Sequence, residues 1–272
     1  MPIGIVILLA FVLLLFAVYL VLISTRHSKA LTPFANVKYA HRGLHNSERA
    51  ENSMSAFRAA VEAGFGIELD VRLSSDGRLV VFHDDTLDRV VGREGRVDAF
   101  TYGELSGMSL CGTEDGIPLF TDVLELVAGR VPLLVEIKED AGVYAVSDEC
   151  ARILAEYRGP YIVESFNPLS LKNFRKKLSD VPLGILSQKY TKEKKYRKPL
   201  FYILQLMLIN RIAGVSFIAF NHEHYRSVSL FFARLFFGAK SFAWTVRSED
   251  EERLAKKHGF TSVIFENYIP EK

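Results

Sequence analysis

The chain has 272 residues, 49% hydrophobic and 24% charged, with a formal net charge of +2. A balance this close to neutral gives no argument for nucleic-acid binding. Its two cysteines, Cys111 and Cys150, have neither CxxC nor metal-ligand spacing, so they indicate no disulfide framework and no zinc site, and they read as small buried hydrophobes.

Residues 2–24 contain no charged side chain and consist almost wholly of Leu, Val, Ile, Phe and Ala. Such a run matches the roughly 20 residues a helix needs to cross a bilayer. A cleaved secretion signal would bring a basic start, a shorter apolar core and a small-x-small cleavage site. No Lys or Arg precedes this run, and Leu22-Ile23-Ser24-Thr25-Arg26 offers no such site. Residues 1–24 therefore read as an uncleaved, single-pass transmembrane anchor. Arg26, His27, Lys29 and Lys38 flank its C-terminal end, which by the positive-inside tendency places the remainder on the cytoplasmic side. Residues 25–35 read as a linker, because Thr32-Pro33 opposes a continuing helix.

Residues 36–272 suffice for one barrel-sized domain. Apolar β-prone runs predict strands at 37–40, 66–73, 133–137, 161–165, 183–186, 215–219, 242–246 and 262–265, with 79–82 as an extra extended piece. Helical patterns fall between them at 53–63, 119–128, 144–157, 169–178, 199–211, 225–236 and 249–258, the first with Asn52 as its N-cap. The alternation argues for an α/β protein with a parallel sheet, and a (β/α)8 TIM-type barrel is the natural closure. A doubly wound open sheet satisfies the periodicity alone equally well. Residues 87–117 break the alternation and are polar and glycine-rich.

The chemistry concentrates at expected strand ends. Glu68 and Asp70 lie two apart and share a strand face, and Glu136 near the end of the next strand completes an all-oxygen set suited to one Mg²⁺ or Ca²⁺ ion. Lys138 shares the face of Glu136. With the fork of Arg42 it offers cations for phosphate oxygens. His41 and His83 titrate near neutrality and read as an acid–base pair. His45, His222, His224 and His258 lack such neighbours and read as solvated or local structural residues. Gly43 allows a tight turn after the first strand.

In this order, His41-Arg42-Gly43, Glu68-Leu69-Asp70, His83-Asp84 and Glu136-Ile137-Lys138 resemble the glycerophosphodiester phosphodiesterase family, from about Val37 to the C-terminus. The resemblance favours the barrel over the open sheet and makes 87–117 the family's insertion after the second strand, here short, so that the site is left open. Glu51-Asn52 matches the family's pair before the first helix. Glu51 would then support His41, Arg42 or the metal, while Asn52 caps. Ser165-Phe166 and Trp244-Thr245-Val246 match as well, with Trp244 as a wall of the glycerol pocket. Arg247 stands where the family usually has Asn, and 260–268 departs from its Asp-Gly-Ile-x-Thr-Asp-x-Pro-like ending. Both departures are expected to lie away from the metal and histidine set and to bear on head-group selectivity.

The resemblance implies a metal-dependent enzyme that hydrolyses a glycerophosphodiester to glycerol 3-phosphate and an alcohol, with the neighbouring glycerol hydroxyl as first nucleophile. Alternatives are a lysophospholipase D or phospholipase C-like activity on membrane lipid, and a non-catalytic lipid-headgroup-binding scaffold. A second membrane signal lies at 189–209, where Lys189, Lys192, Lys194, Lys195, Arg197 and Lys198 precede an apolar stretch from Leu200 to Ile209. Residues 231–237 form a comparable aromatic patch. Both suit a barrel resting on a bilayer and a lysolipid substrate.

Overall fold

The computed structural model describes residues 2–140 and 142–271. Helix α1 (Ile3–Ile23) leads through a 3-10 helix, Lys29–Phe34, into strand β1 (Lys38–Ala40). There follow α2 (Met54–Ala63), β2 (Gly66–Leu73), β3 (Leu79–Val81), the short helices α3 (Asp88–Val91) and α4 (Tyr102–Leu105), and α5 (Phe120–Val127). Next come β4 (Leu133–Ile137), α6 (Ala145–Leu154), β5 (Tyr161–Ser165), α7 (Pro168–Lys177) and β6 (Leu183–Ser187). The chain ends with α8 (Pro199–Gln205), α9 (Asn210–Ala213), β7 (Phe217–Asn221), α10 (Val228–Phe237), β8 (Lys240–Val246), α11 (Glu249–Lys257) and β9 (Ser262–Phe265).

Eight strands pair in parallel in the order β1-β2-β4-β5-β6-β7-β8-β9, and β9 returns to β1. This is the closed (β/α)8 barrel that the alternation and the resemblance together imply. Strand β3 runs antiparallel to β2, as expected of the extra extended piece. The barrel interior is filled by Tyr39, Leu134, Ile162, Leu186, Phe217, Phe242 and Ile264, with Phe217 and Phe242 stacked 4.6 Å apart. Small residues make room for the rings: a Cβ on Gly184 would come within 2.2 Å of Phe217. Outside the barrel, Ile67, Leu69, Val135 and Val163 join the helices in a second core, so the strands bury both faces.

Several expectations are corrected. The 25–35 linker is ordered and packed rather than free of structure. Its 3-10 helix buries Leu31 and Phe34 against the barrel interior, and Ser262 Oγ donates to Phe34 O at 3.2 Å. The expected 199–211 helix divides into α8 and α9 at Met207, which is buried in a left-handed conformation (φ 57°). Strand β7 begins two residues later than predicted, because Gly214 ends α9 and Val215 hydrogen-bonds back to Asn210. Ser53, not Asn52, caps α2 by accepting from Ala56 N. Cys150 is buried but Cys111 is exposed. Residues 87–117 form a small core of their own, in which Leu87, Val90, Val97 and Leu110 pack on Val80 and Phe82.

Helix α1 is long and apolar enough to cross a membrane. Only its C-terminal part packs on the barrel. Ile23 is buried, Tyr19 Oη donates to Ser229 Oγ at 3.0 Å, and Phe16 meets Phe232 edge-on at 5.3 Å.

Candidate active site

The interior positions of the strands continue, at a period of two, into the side chains at the C-terminal mouth of the barrel. Tyr39 leads to His41, Leu134 to Glu136 and Lys138, Ile162 to Glu164, Phe242 to Trp244 and Ile264 to Glu266. On β2 the same rule sets Glu68 and Asp70 on one face. Oxygens of Glu68, Asp70 and Glu136 lie within 4.8 Å of one another, and all three residues are buried. The donor set is all carboxylate oxygen and fits a hard divalent cation.

Each carboxylate is held by named partners. Arg42 N donates to Glu68 Oε2 at 2.9 Å, a contact made possible by the positive φ of Arg42 (55°) and Gly43 (81°). A side chain at Gly43 would also meet Ala56 Cβ at 2.9 Å, so this turn requires glycine. Asn52 Nδ2 donates to Asp70 Oδ2 at 2.9 Å, which is why Asn52 is not free to cap α2. Lys138 Nζ lies 2.7 Å from Glu136 Oε1 and 3.2 Å from Asp70 Oδ1. Arg42 Nε stands 3.4 Å from Asp70 Oδ2, and its Nη1 donates to Glu51 Oε1 at 2.7 Å.

Burial, then Asp70 and Glu136, push the Glu68 carboxyl well above the usual range. Burial raises Glu136 to about 7 against the opposing charge of Lys138. Asp70 is equally buried, yet Lys138, His83 and Arg42 hold it well below the usual range. Glu164 pairs in register with Glu136, is 1% exposed, and is likewise pushed up by burial and its acidic neighbours. Fully ionised, these four acids would carry more negative charge than Arg42 and Lys138 neutralise, so the raised carboxyls favour their protonated forms, and a divalent cation would take the place of those protons.

Both histidines are backed by a carboxylate. His41 Nδ1 lies 2.6 Å from Glu266 Oε2, while its Nε2 is 4.0 Å from Glu68 Oε2. His83 Nδ1 lies 2.5 Å from Asp84 Oδ1. A carboxylate only accepts, so each ring donates from Nδ1 and leaves Nε2 for the site. Burial lowers the pKa of His41, and that of His83 to about 4. The supporting acids are themselves clamped. Glu266 Oε1 accepts from Arg247 Nε at 2.7 Å, and Arg89 reaches both Asp84 Oδ2 and Glu51 Oε1 at 2.7 Å. Glu51 therefore supports Arg42 and Arg89. Among the described residues its hydrogen bonds and ion pairs go to Arg42 and Arg89, none to His41 or the carboxylate cluster.

Arg247 and Glu266 overturn the expectation that the two departures lie away from the histidine set, since they form one chain of contacts ending on His41. His45 also approaches this chain, its Nε2 3.9 Å from Glu266 Oε2. Arg89 and Glu164 were not singled out in the sequence, while Asp84 entered only as the partner in the His83-Asp84 motif and Glu266 only within the 260–268 departure, neither with a supporting role. Period-two counting from Ile264 and Ile162 would have found Glu266 and Glu164; no sequence signal marks Arg89. A cavity of about 260 Å³ over the carboxylates is walled by His41, His83, Lys138, Phe166, Trp244 and Arg247. Trp244 meets Phe166 edge-on at 5.6 Å.

Known proteins share this architecture. A phosphodiesterase of Oleispira antarctica, solved with the product sn-glycerol-3-phosphate, superposes with a TM-score of 0.72 at 20% identity, covering 86% of this chain and 94% of that one. The Thermotoga maritima glycerophosphodiester phosphodiesterase superposes at 0.64 with 26% identity, covering 84% and 94%. The glycerophosphodiester phosphodiesterase of Caldanaerobacter subterraneus subsp. tengcongensis is 36% identical over 161 residues, which is 55% of this chain and 65% of that relative. That alignment stops just short of two thirds of the relative's length. Residues 41–269, from His41 at the end of β1 to beyond β9, match the glycerophosphoryl diester phosphodiesterase family, and the chain belongs to that family.

Proposed function

We propose that the chain hydrolyses glycerophosphodiesters to glycerol 3-phosphate and an alcohol in a metal-dependent reaction. The observation that carries this reading is the convergence, on one cavity, of three buried carboxylates, two phosphate-seeking cations and two carboxylate-backed histidines. The names of the relatives and the product bound by the Oleispira enzyme agree with it.

On this reading Glu68, Asp70 and Glu136 hold Mg²⁺ or Ca²⁺. The cation, when bound, supplies positive charge to the phosphoryl oxygens. Arg42 and Lys138 bind the phosphate and stabilise the charge that builds on it. One imidazole takes the proton of the attacking oxygen at Nε2, and the other delivers a proton to the departing alkoxide as its P–O bond breaks. Glu266 and Asp84 fix the tautomers that make this possible. Trp244 and Phe166 wall the glycerol moiety. A non-catalytic headgroup-binding scaffold would not need two histidines held in this way.

The same proposal extends to location. Residues 1–24 anchor the chain as a single pass, 25–35 join anchor to barrel floor, and 36–272 form the catalytic domain on the cytoplasmic side. The basic run from Lys189 to Lys198 and the apolar residues after it rest on the bilayer. A substrate panel with and without EDTA, followed by Mg²⁺ or Ca²⁺ add-back, tests the activity. Glycerol 3-phosphate should appear only with metal, and His41→Ala or His83→Ala should lower kcat by on the order of 10²–10⁴-fold. Absence of metal-dependent turnover on every diester would sink the reading.

A further inference from the structure

A separate cavity of about 300 Å³ lies at the floor of the barrel, at the opposite end of the strands from the carboxylates. Three parts of the chain wall it. Thr25, Arg26, His27 and Ser28 follow closely on α1, Phe237 and Gly238 end α10, and Ser216 and Lys240 stand at the N-terminal ends of β7 and β8. Among the described residues no acid lines it. Arg26 is held by backbone, its N donating to Val215 O at 2.7 Å and its Nη1 to Ser179 O at 3.0 Å. Arg175 Nη1 donates to the same carbonyl, and burial together with the charge of Arg26 lowers its pKa to about 10. Positive charge gathers here, and the cavity holds no carboxylate to balance it.

Ser216 points the same way independently. It is 5% exposed, yet its Oγ has no hydrogen-bond partner among the described residues. Buried hydroxyls are normally bonded, and this one lines the cavity. Its place in the molecule narrows what the cavity could bind. At 1.5 Å per residue the 21 residues of α1 rise about 31 Å, against about 30 Å for the hydrocarbon core of a bilayer. Residues after Ile23 therefore enter the headgroup layer, and Thr25 to Ser28 are among the first of them. On the other rim, Leu235 and Phe236 of α10 are 61% and 49% exposed, and Phe236 meets Phe16 of α1 edge-on at 6.2 Å. One rim is cationic and at headgroup depth; the other is apolar and continuous with the membrane helix.

We propose that this floor cavity binds the phosphate of an anionic phospholipid in the leaflet at the C-terminal end of α1, with the acyl chains left in the bilayer beside α10. Arg26 and Lys240 supply the charge, and Ser216 Oγ donates the hydrogen bond that it otherwise lacks. The lipid is not a substrate, because the cavity lies at the far end of the barrel from the histidines. It fixes the height and rotation of the barrel on its anchor, and so the direction in which the catalytic mouth faces. The proposal rests on the reading of residues 1–24 as an anchor and is independent of the phosphodiesterase reading.

The test uses the full chain in nanodiscs of phosphatidylcholine with a graded fraction of phosphatidylglycerol, and native mass spectrometry to count the lipid each chain retains. One phosphatidylglycerol should be retained per chain. The fraction giving half-occupancy should rise about five-fold in Arg26→Gln, and about five-fold in Lys240→Gln, the factor for one cation near an anionic surface. Both side chains are exposed, so these variants fold. Ser216→Ala should also weaken retention, while the lipid-free chain in detergent unfolds no earlier than before, since only an unpaired hydroxyl is lost. Lys192→Gln/Lys194→Gln, which removes two cations outside the cavity, should retain the lipid as the unaltered chain does. Half-occupancy unmoved by the Arg26, Lys240 and Ser216 variants, or moved as far by the Lys192/Lys194 pair, would overturn the site. Inorganic phosphate that displaces the lipid with the same dependence on these residues would assign the cavity to a soluble phosphate and overturn the lipid. Release of the full chain from membranes by alkaline carbonate would remove the anchor reading itself, and the lipid assignment with it.

Discussion

Glu266→Gln isolates the support given to His41, because it removes a charge and one acceptor without changing shape. Glu266 serves two donors: Oε2 faces His41 Nδ1 at 2.6 Å and Oε1 accepts from Arg247 Nε at 2.7 Å. An amide has one acceptor oxygen and one NH₂. The charged guanidinium makes the stronger bond and keeps the oxygen, so the NH₂ turns to His41. That forces Nδ1 to accept and moves the ring proton to Nε2, the atom that faces Glu68. A base so protonated cannot accept from the substrate, and an acid loses the carboxylate that supports its charged form. Either way kcat should fall by on the order of 10²–10⁴-fold, the range for a positioned acid or base, or about 3–5 kcal/mol of barrier. KM should change little, since Arg42 and Lys138 keep their places. Initial-rate kinetics on a soluble diester measures the split. The double variant Glu266→Gln/Arg247→Ala should recover part of the rate, because the freed amide can turn its oxygen to Nδ1. An unchanged kcat in the single variant, or a double variant worse than the single, would refute the argument.

Replacing Asp70 by Ala should abolish EDTA-sensitive activity while calorimetry still shows one cooperative unfolding transition; full activity would remove the metal site as drawn. Glu164→Met replaces a buried carboxyl whose Oε2 has no partner among the described residues. It should raise the metal-free protein's stability by about 1–3 kcal/mol in denaturant titrations. Phe34→Ala should cost about 3–5 kcal/mol in the same titrations, since it opens a cavity at the barrel floor. In a protein that starts near Leu31 and so lacks the apolar helix, neutralising Lys192, Lys194, Lys195 and Lys198 together should weaken flotation with anionic vesicles at low salt and leave soluble-diester turnover intact.

The sequence was most legible where one physical rule acted alone. Apolar β-prone runs located six of the eight barrel strands to within a residue and the other two to within two, and ordered acidic and histidine pairs pointed to the residues that line the mouth. It failed where two demands met on one residue. Asn52 has the chemistry of an N-cap, but the strained turn at Arg42-Gly43 brings it to Asp70, and Ser53 takes the cap instead. Met207 sits in a run with helical pattern, yet burying its side chain requires a left-handed turn that splits α8 from α9. Residues 25–35 read only as a linker because Pro33 argues against an α-helix; it does not argue against the 3-10 turn that drives Leu31 and Phe34 into the floor. Glu266 was hidden for another reason. Divergence from a family pattern was read as distance from the site, whereas the register of β9 brings position 266 onto His41 whatever residue stands there.

The charges at the mouth form alternating chains rather than isolated pairs. Asp84 and Glu51 share Arg89, Glu51 and Asp70 share Arg42, and Asp70 and Glu136 share Lys138. In such a chain every removal leaves a neighbour under-compensated in a partly buried place, so effects spread beyond the residue changed. Glu51 hydrogen-bonds to neither histidine nor the carboxylate cluster among the described residues, yet it holds the guanidinium that clamps Asp84 and, through Asp84, the Nδ1 of His83. Residues along one chain therefore act as a unit, and their single substitutions will not add. The rigid strand ends of the barrel make so dense an arrangement tolerable, because backbone register, rather than side-chain attraction, sets the spacing of the acids.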